Sequence, residues 1–183
     1  ALSILNDEID LLDEKKIATL ASGLALEFVD SGIDTRVLYR GNDCSEAIRS
    51  EACGVAASKI AVYASVRSEL LSCQRNFAVL PGLIADGRDM GTVVFPAADL
   101  KIFLTATSEE RASRRYKQLI KKGIDASLPA LLRDIRERDE RDTNRAQSPL
   151  KASDDAVLID TSKLGIEEVM LKVRQIVKIR GLA

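Results

Sequence analysis

A chain of 183 residues, 46% hydrophobic and 30% charged, is long enough to bury a sizeable core and has the composition of an ordinary globular domain. Its 27 lysines and arginines nearly balance 28 aspartates and glutamates, and the net charge of −1 excludes non-specific attraction to nucleic acid or acidic membranes. Any anionic ligand must be met by local arginine clusters.

Histidine is absent, which excludes a Ser-His-Asp triad, imidazole acid–base catalysis and His-bearing metal sites. Cys44, Cys53 and Cys73 are odd in number and lack CxxC spacing, so they read as reduced, buried residues of a cytosolic protein. No apolar stretch approaches the ~20 residues that span a bilayer, and no signal peptide is visible. The expectation is a cytoplasmic protein with no membrane or nucleic-acid partner.

In chain order, Asp13 to Leu26 places Ile17, Leu20, Ala21 and Leu24 at the spacing of a one-faced helix. The period then changes. Leu24 to Val29 and Thr35 to Tyr39 are short β-rich runs around Asp30-Ser-Gly-Ile-Asp34, a small hairpin with Gly32 in its turn. Ser45 to about Lys59 and Val66 to Phe77 return to helical spacing. Pro81-Gly82 breaks the chain before Leu83-Ile84-Ala85, a predicted strand ending at Asp86-Gly87. A loop from Arg88 to Pro96 leads to a second strand, Leu100 to Thr105. Thr107-Ser-Glu-Glu110 has capping-box spacing, so a helix should start there and run to about Lys122, where Gly123 stops it. Pro129 to about Asp142 is a charge-dense helix, Ala156 to Asp160 a third strand and Gly165 to Ile179 a final helix. Strand–helix alternation predicts an α/β fold with a parallel sheet covered by helices and the hairpin as a separate insert. Chemistry in such sheets sits at the carboxyl ends of strands, and Asp86 to Asp89 lies at one.

Asp86-Gly-Arg-Asp89 puts two carboxylates and an arginine on one turn. An arginine fork there can hold a phosphate while a carboxylate orders magnesium or takes a ligand hydrogen bond; a plain salt-bridged turn is the alternative. Arg138, Asp142 and Arg145 fall at i, i+4 and i+7 and share one helix face. Arg111, Arg114 and Arg115 cluster on the preceding helix. A solvated, ion-paired face is the ordinary reading of such helices, yet arginine far outnumbers lysine from Arg111 to Arg145, and its rigid fork suits bidentate phosphate recognition. Two arginine-rich helices joined through Gly123 suit a mobile lid over a polyphosphate.

The run Leu83-Ile-Ala-Asp-Gly-Arg-Asp-Met-Gly-Thr-Val-Val-Phe-Pro96, followed by Leu100 to Leu104 and Ser108-Glu-Glu-Arg111, resembles the signature of bacterial cytidylate kinases. Ser45 to Arg49, Ala56-Ala-Ser58, Val66-Arg67, Arg138-Asp-Glu-Arg-Asp142 through Arg145, and Asp160-Thr-Ser162 extend the resemblance over essentially the whole chain. It implies a P-loop nucleoside monophosphate kinase fold: a parallel sheet covered by helices, a small antiparallel insert and a helical lid. Residues 1–183 would form one kinase domain, with 24–66 the nucleoside-monophosphate-binding insert and 110–145 the lid and its flanking helices. The implied reaction transfers the γ-phosphoryl group of ATP to CMP or dCMP, with Mg²⁺, in a cytoplasmic and monomeric enzyme of pyrimidine nucleotide metabolism. Ser58, Arg67 and Asp89 correspond to the group that reads the cytosine edge, and Arg138 and Asp142 to the pair that holds the ribose. Arg88 and Arg145 correspond to arginines near the CMP phosphate. Asp86 joins these two as a catalytic candidate, and Arg114 and Arg115 are candidates for ATP phosphate contacts. No protein metal ligand is implied.

The family's Gly-x-x-x-x-Gly-Lys-Ser/Thr loop does not occur in residues 1–183, nor do the strand and helix that flank it. The chain is therefore expected to be the larger part of a longer protein and to show no kinase activity by itself. A rival reading from another class is a CMP-holding fragment or paralogue without turnover. A second is a related kinase with another acceptor, which Ser58, Arg67 and Asp89 argue against.

Overall fold

The structure, a computed structural model, describes residues 1–30, 35–144 and 149–182. The chain divides into two compact units, Ala1–Ile84 and Ala85–Ala183.

The first unit opens with α1 (Leu2–Asn6) and α2 (Glu14–Ser22). The Asp13 carboxylate caps α2 by accepting from the Lys16 amide at 3.0 Å. The helix stops at Ser22 rather than Leu26, because Gly23 follows and Leu26 is already committed to a strand ladder. Strands β1 (Leu26–Asp30) and β2 (Thr35–Tyr39) pair antiparallel, with Leu26 opposite Tyr39 and Asp30 opposite Thr35. This is the predicted hairpin; its turn glycine, Gly32, lies outside the described residues. A third strand, β3 (Asn42–Asp43), extends it beyond expectation. Arg40 and Gly41, at φ +50° and +76°, form the two-residue turn that a tight right-twisted hairpin requires.

The predicted helix from Ser45 to Lys59 is split. A single 3₁₀ turn at Ala47–Arg49 gives way to Ser50 in extended conformation, and α3 (Glu51–Ile60) begins there. The cause is local: the Ser50 hydroxyl accepts from the Cys53 amide at 3.3 Å, and a serine that caps a helix cannot also continue one. After α4 (Ala64–Asn76) comes a run with no regular structure. Ile4, Ile9, Ile17, Ala21, Ile60 and Val66 form one buried apolar cluster, and the Tyr63 hydroxyl donates to the Leu11 carbonyl at 3.0 Å.

Leu83-Ile84-Ala85 is not a strand, which corrects the sequence reading. A strand exists by virtue of a ladder partner, and the described strands pair only among themselves; Ile84 is fully exposed. Asp86 to Asp89 therefore follows an unpaired segment and not a strand end. Beyond it the expected loop contains one π-helical turn, Met90–Val94, that buries Val94.

In the second unit β4 (Ile102–Thr105) and β5 (Val157–Asp160) run parallel, Ile102 opposite Val157 and Thr105 opposite Asp160. The crossover between them holds α5 (Ser108–Lys121) and α6 (Leu128–Asn144), which pack on each other. Thr107 caps α5 as its spacing predicts, its Oγ1 accepting from the Glu110 amide at 3.2 Å. Gly123 ends that segment at φ +73°, a conformation that favours glycine. The closing helix, α7 (Ile166–Ile179), starts behind Gly165, whose amide donates to Glu168 Oε2 at 2.7 Å. Lys101 Nζ, on a side chain only 9% exposed, donates to the Pro96 carbonyl at 2.6 Å and to both Asp155 carboxylate oxygens at 3.0 and 2.8 Å. A parallel strand pair joined by one helical crossover, plus a small antiparallel sheet, is the predicted α/β class. Among the described residues no helix is long and apolar enough to cross a membrane.

Candidate functional site

The helical spacing of Arg138 and Asp142 puts both on one face of α6, and Arg88 reaches them from the segment before the π-helical turn. Arg88 Nη1 forms an ion pair with Asp142 Oδ2. Arg138 Nε lies 3.9 Å from the same oxygen, and the Asp142 carboxylate is buried. One residue along, Asp139 takes a two-pronged hydrogen bond from Arg111 of α5, with Nη1 to Oδ1 at 3.0 Å and Nη2 to Oδ2 as the second prong. Asp139 Oδ1 stands 4.0 Å from Arg88 Nη1.

Three guanidinium groups thus share two carboxylates in partly desolvated surroundings. Burial, and then the neighbouring Arg138 cation, lower the Arg88 pKa; Asp142 and Asp139 act in the opposite sense. Arg138 Nε is buried without a hydrogen-bond acceptor among the described residues, an arrangement that costs free energy until an acceptor arrives. A phosphate or a sugar hydroxyl has the oxygens such a cluster lacks.

The other candidates lie on other elements of the chain. Ser58 is a buried residue of α3, 6% exposed, and Arg67 is a half-buried residue of α4 whose Nη1 donates to the Ala61 carbonyl at 3.5 Å. Both belong to the first unit. Asp89 is buried in the second, and its main-chain carbonyl accepts from the Val93 and Val94 amides at 2.9 and 3.2 Å. Asp86 is exposed. Arg114 is engaged within the protein: Nε donates to Glu110 at 2.9 Å, Nη1 to Thr161 Oγ1 at 3.1 Å, and Nη2 to the Thr161 and Leu164 carbonyls. Arg115 is half-buried on α5. Arg145 lies outside the described residues.

Two members of these networks were not singled out from the sequence. Asp139 sits inside the recognised Arg138 to Asp142 run, but its importance comes from Arg111 on another helix, which spacing along one helix does not show. Buried Thr161 donates to the Thr105 carbonyl at 3.0 Å while accepting from Arg114, so it joins the carboxyl ends of β4 and β5. No group of three or more His, Cys, Asp or Glu side chains among the described residues is placed to hold a metal ion.

Fold and cluster together define an α/β protein with a crowded arginine cluster on its crossover helices. The cytidylate kinase family model matches residues 1–179. The cytidylate kinase of Shewanella denitrificans is 52% identical over 180 residues, covering 97% of this chain and 79% of the relative. That of Aeromonas salmonicida is 51% identical over 173 residues, covering 94% and 75%, and that of Pseudomonas aeruginosa PAO1 50% identical over 172 residues, covering 93% and 75%. The chain belongs to the cytidylate kinase family and is a phosphotransferase.

Proposed function

We propose that the chain carries the acceptor-side machinery of a kinase that transfers the γ-phosphoryl group of ATP to CMP or dCMP. The observation that carries the reading is the Arg88–Asp142–Arg138 cluster, a partly buried site with cations in excess and an unsatisfied guanidinium nitrogen. A phosphate oxygen of CMP attacks the γ-phosphorus, the bond to the β–γ bridging oxygen breaks, and ADP leaves. The nucleophile is already an anion, so no imidazole is required and the work is positioning and charge neutralisation.

In this reading Arg88 and Arg145 face the acceptor phosphate, and Arg138 and Asp142 hold the ribose hydroxyls. Ser58, Arg67 and Asp89 complement the donor and acceptors of the cytosine edge. Arg114 and Arg115 are the candidates for ATP phosphates, and Arg114 would have to exchange its bonds to Thr161 and Leu164 to serve there. Magnesium suits the chemistry only as a partner of the nucleotide: it keeps water and phosphate ligands, and the exposed Asp86 is the carboxylate offered to such a hydrated ion. Charge neutralisation of the polyphosphate is what the ion would supply. Nothing in the comparisons favours a CMP-holding protein without turnover.

The test is nucleotide binding by the full-length gene product. Asp89→Ala and Arg67→Ala leave a buried polar partner unpaired, worth about 1–3 kcal/mol. Each should weaken CMP by roughly 5- to 150-fold on that scale while ATP changes little. Equal losses for both nucleotides would remove these residues from base recognition.

A further inference from the structure

Asp142 is asked to do two things at once. It pairs with Arg88 and stands beside Arg138, yet the proposed function gives the same carboxylate to the sugar. A hydroxyl arriving there shares or displaces Arg88, which then needs another anion to keep it aimed.

Asp139 has the geometry for that. Its two oxygens are taken by Arg111, a residue of the other crossover helix, so the carboxylate is fixed in direction and position. At 4.0 Å from Arg88 it is too far for a hydrogen bond, but near enough for charge attraction in surroundings only partly open to solvent. An unpinned aspartate would be free to close on Arg88 and compete with a phosphate. A pinned one guides the guanidinium without capturing it. Arg111 also donates to Ser108 Oγ at 3.4 Å, which ties the pin to the first turn of α5.

We propose that Asp139, held by Arg111, is a positioning residue that keeps Arg88 oriented toward the acceptor phosphate when the sugar engages Asp142. This rests on the reading of Arg88 as phosphate-facing, so the experiment separates the two. Dissociation constants for CMP and for cytidine, which lacks the phosphate, are measured by calorimetry on the full-length gene product. Asp139→Asn should weaken CMP about fivefold, the upper end for a partly exposed charge pair, and cytidine less than about twofold. An unchanged ratio of the two constants, or an equal loss for both ligands, reduces Asp139 to a strut between helices and overturns the proposal.

Arg88→Ala is the control. If it leaves the CMP-to-cytidine ratio intact, the phosphate reading of Arg88 fails and this inference falls with it. If it collapses the ratio while Asp139→Asn does not, the inference fails alone. Should Asp139→Asn not fold, Arg111→Lys keeps the charge but surrenders the two-pronged grip. It should lower the same ratio by about twofold or more, and no change there overturns the proposal equally.

Discussion

The first unit gathers Ile4, Ile9, Ile17, Ala21, Ile60 and Val66 into a single apolar cluster. The second buries fewer apolar side chains, Val94, Ala112, Leu131 and Ile159 among them, and links its helices and loops through Arg88, Arg111, Arg114, Asp139 and Asp142. Apolar packing is indifferent to direction, so a region built that way sets the few buried polar groups, such as Ser58, among apolar neighbours. A region built from ion pairs is directional and holds charge in reserve. The contrast suits the chemistry proposed for the second unit, where a phosphate would meet guanidinium groups already held in direction.

Truncating the apolar centre should cut most deeply. Ile17 is the largest fully buried side chain of the first unit, and Ile17→Ala should cost about 2–5 kcal/mol. Hydrogen exchange should report the loss in amides of residues 1–84. An equal loss across Ala85–Ala183 would mean that the units do not differ in what holds them.

Next in size is Arg114→Ala, which takes away the donors to Thr161 and Leu164 and should cost about 1–3 kcal/mol. Protection should fall at the amides of residues 160–165 and leave the Ile17 helix untouched. A variant as stable as the parent would show that apolar contacts, and not this guanidinium, fasten the end of β5.

Acid should produce the smallest effect and the finest distinction. Hydrogen bonds from the Ser45 hydroxyl and amide, then from Arg36, hold the Asp43 pKa well below the usual carboxylate range. Ser162 does the same for Asp160. A depressed folded-state pKa gives stability that is present above the unfolded value of about 4 and lost as pH falls through the folded one. The β2–β3 turn and the end of β5 should therefore loosen below about pH 4 while α2 and α4 keep their protection. Uniform loosening of the first unit would contradict an apolar core as its main support.

Much of this was legible because the signals are local. Thr107 announces α5, Gly123 stops it, and the β-rich runs on either side of residue 32 announce their own pairing. The cytosine, sugar and phosphate candidates came from the resemblance, and Arg138 with Asp142 also from helical spacing. What spacing could not supply was partnership across elements. Leu83-Ile84-Ala85 has the composition of a strand and no ladder partner. Ser50 has a place in a helical pattern but spends its hydroxyl on a cap. Asp139 acquires its role from Arg111, 28 positions earlier.

The ammonium of Lys101 bears on how this chain tolerates insertions and deletions. One nitrogen holds the nearby Pro96 carbonyl and the distant Asp155 carboxylate, so two stretches of chain are measured against a single atom. An added or deleted residue between Pro96 and Lys101, or between Asp155 and the start of β5, changes that measure and carries the strand register with it. The connection over residues 123–127 is largely exposed. Length variation should accumulate there, between the arginine-bearing helices, and stay out of the short spans that Lys101 closes.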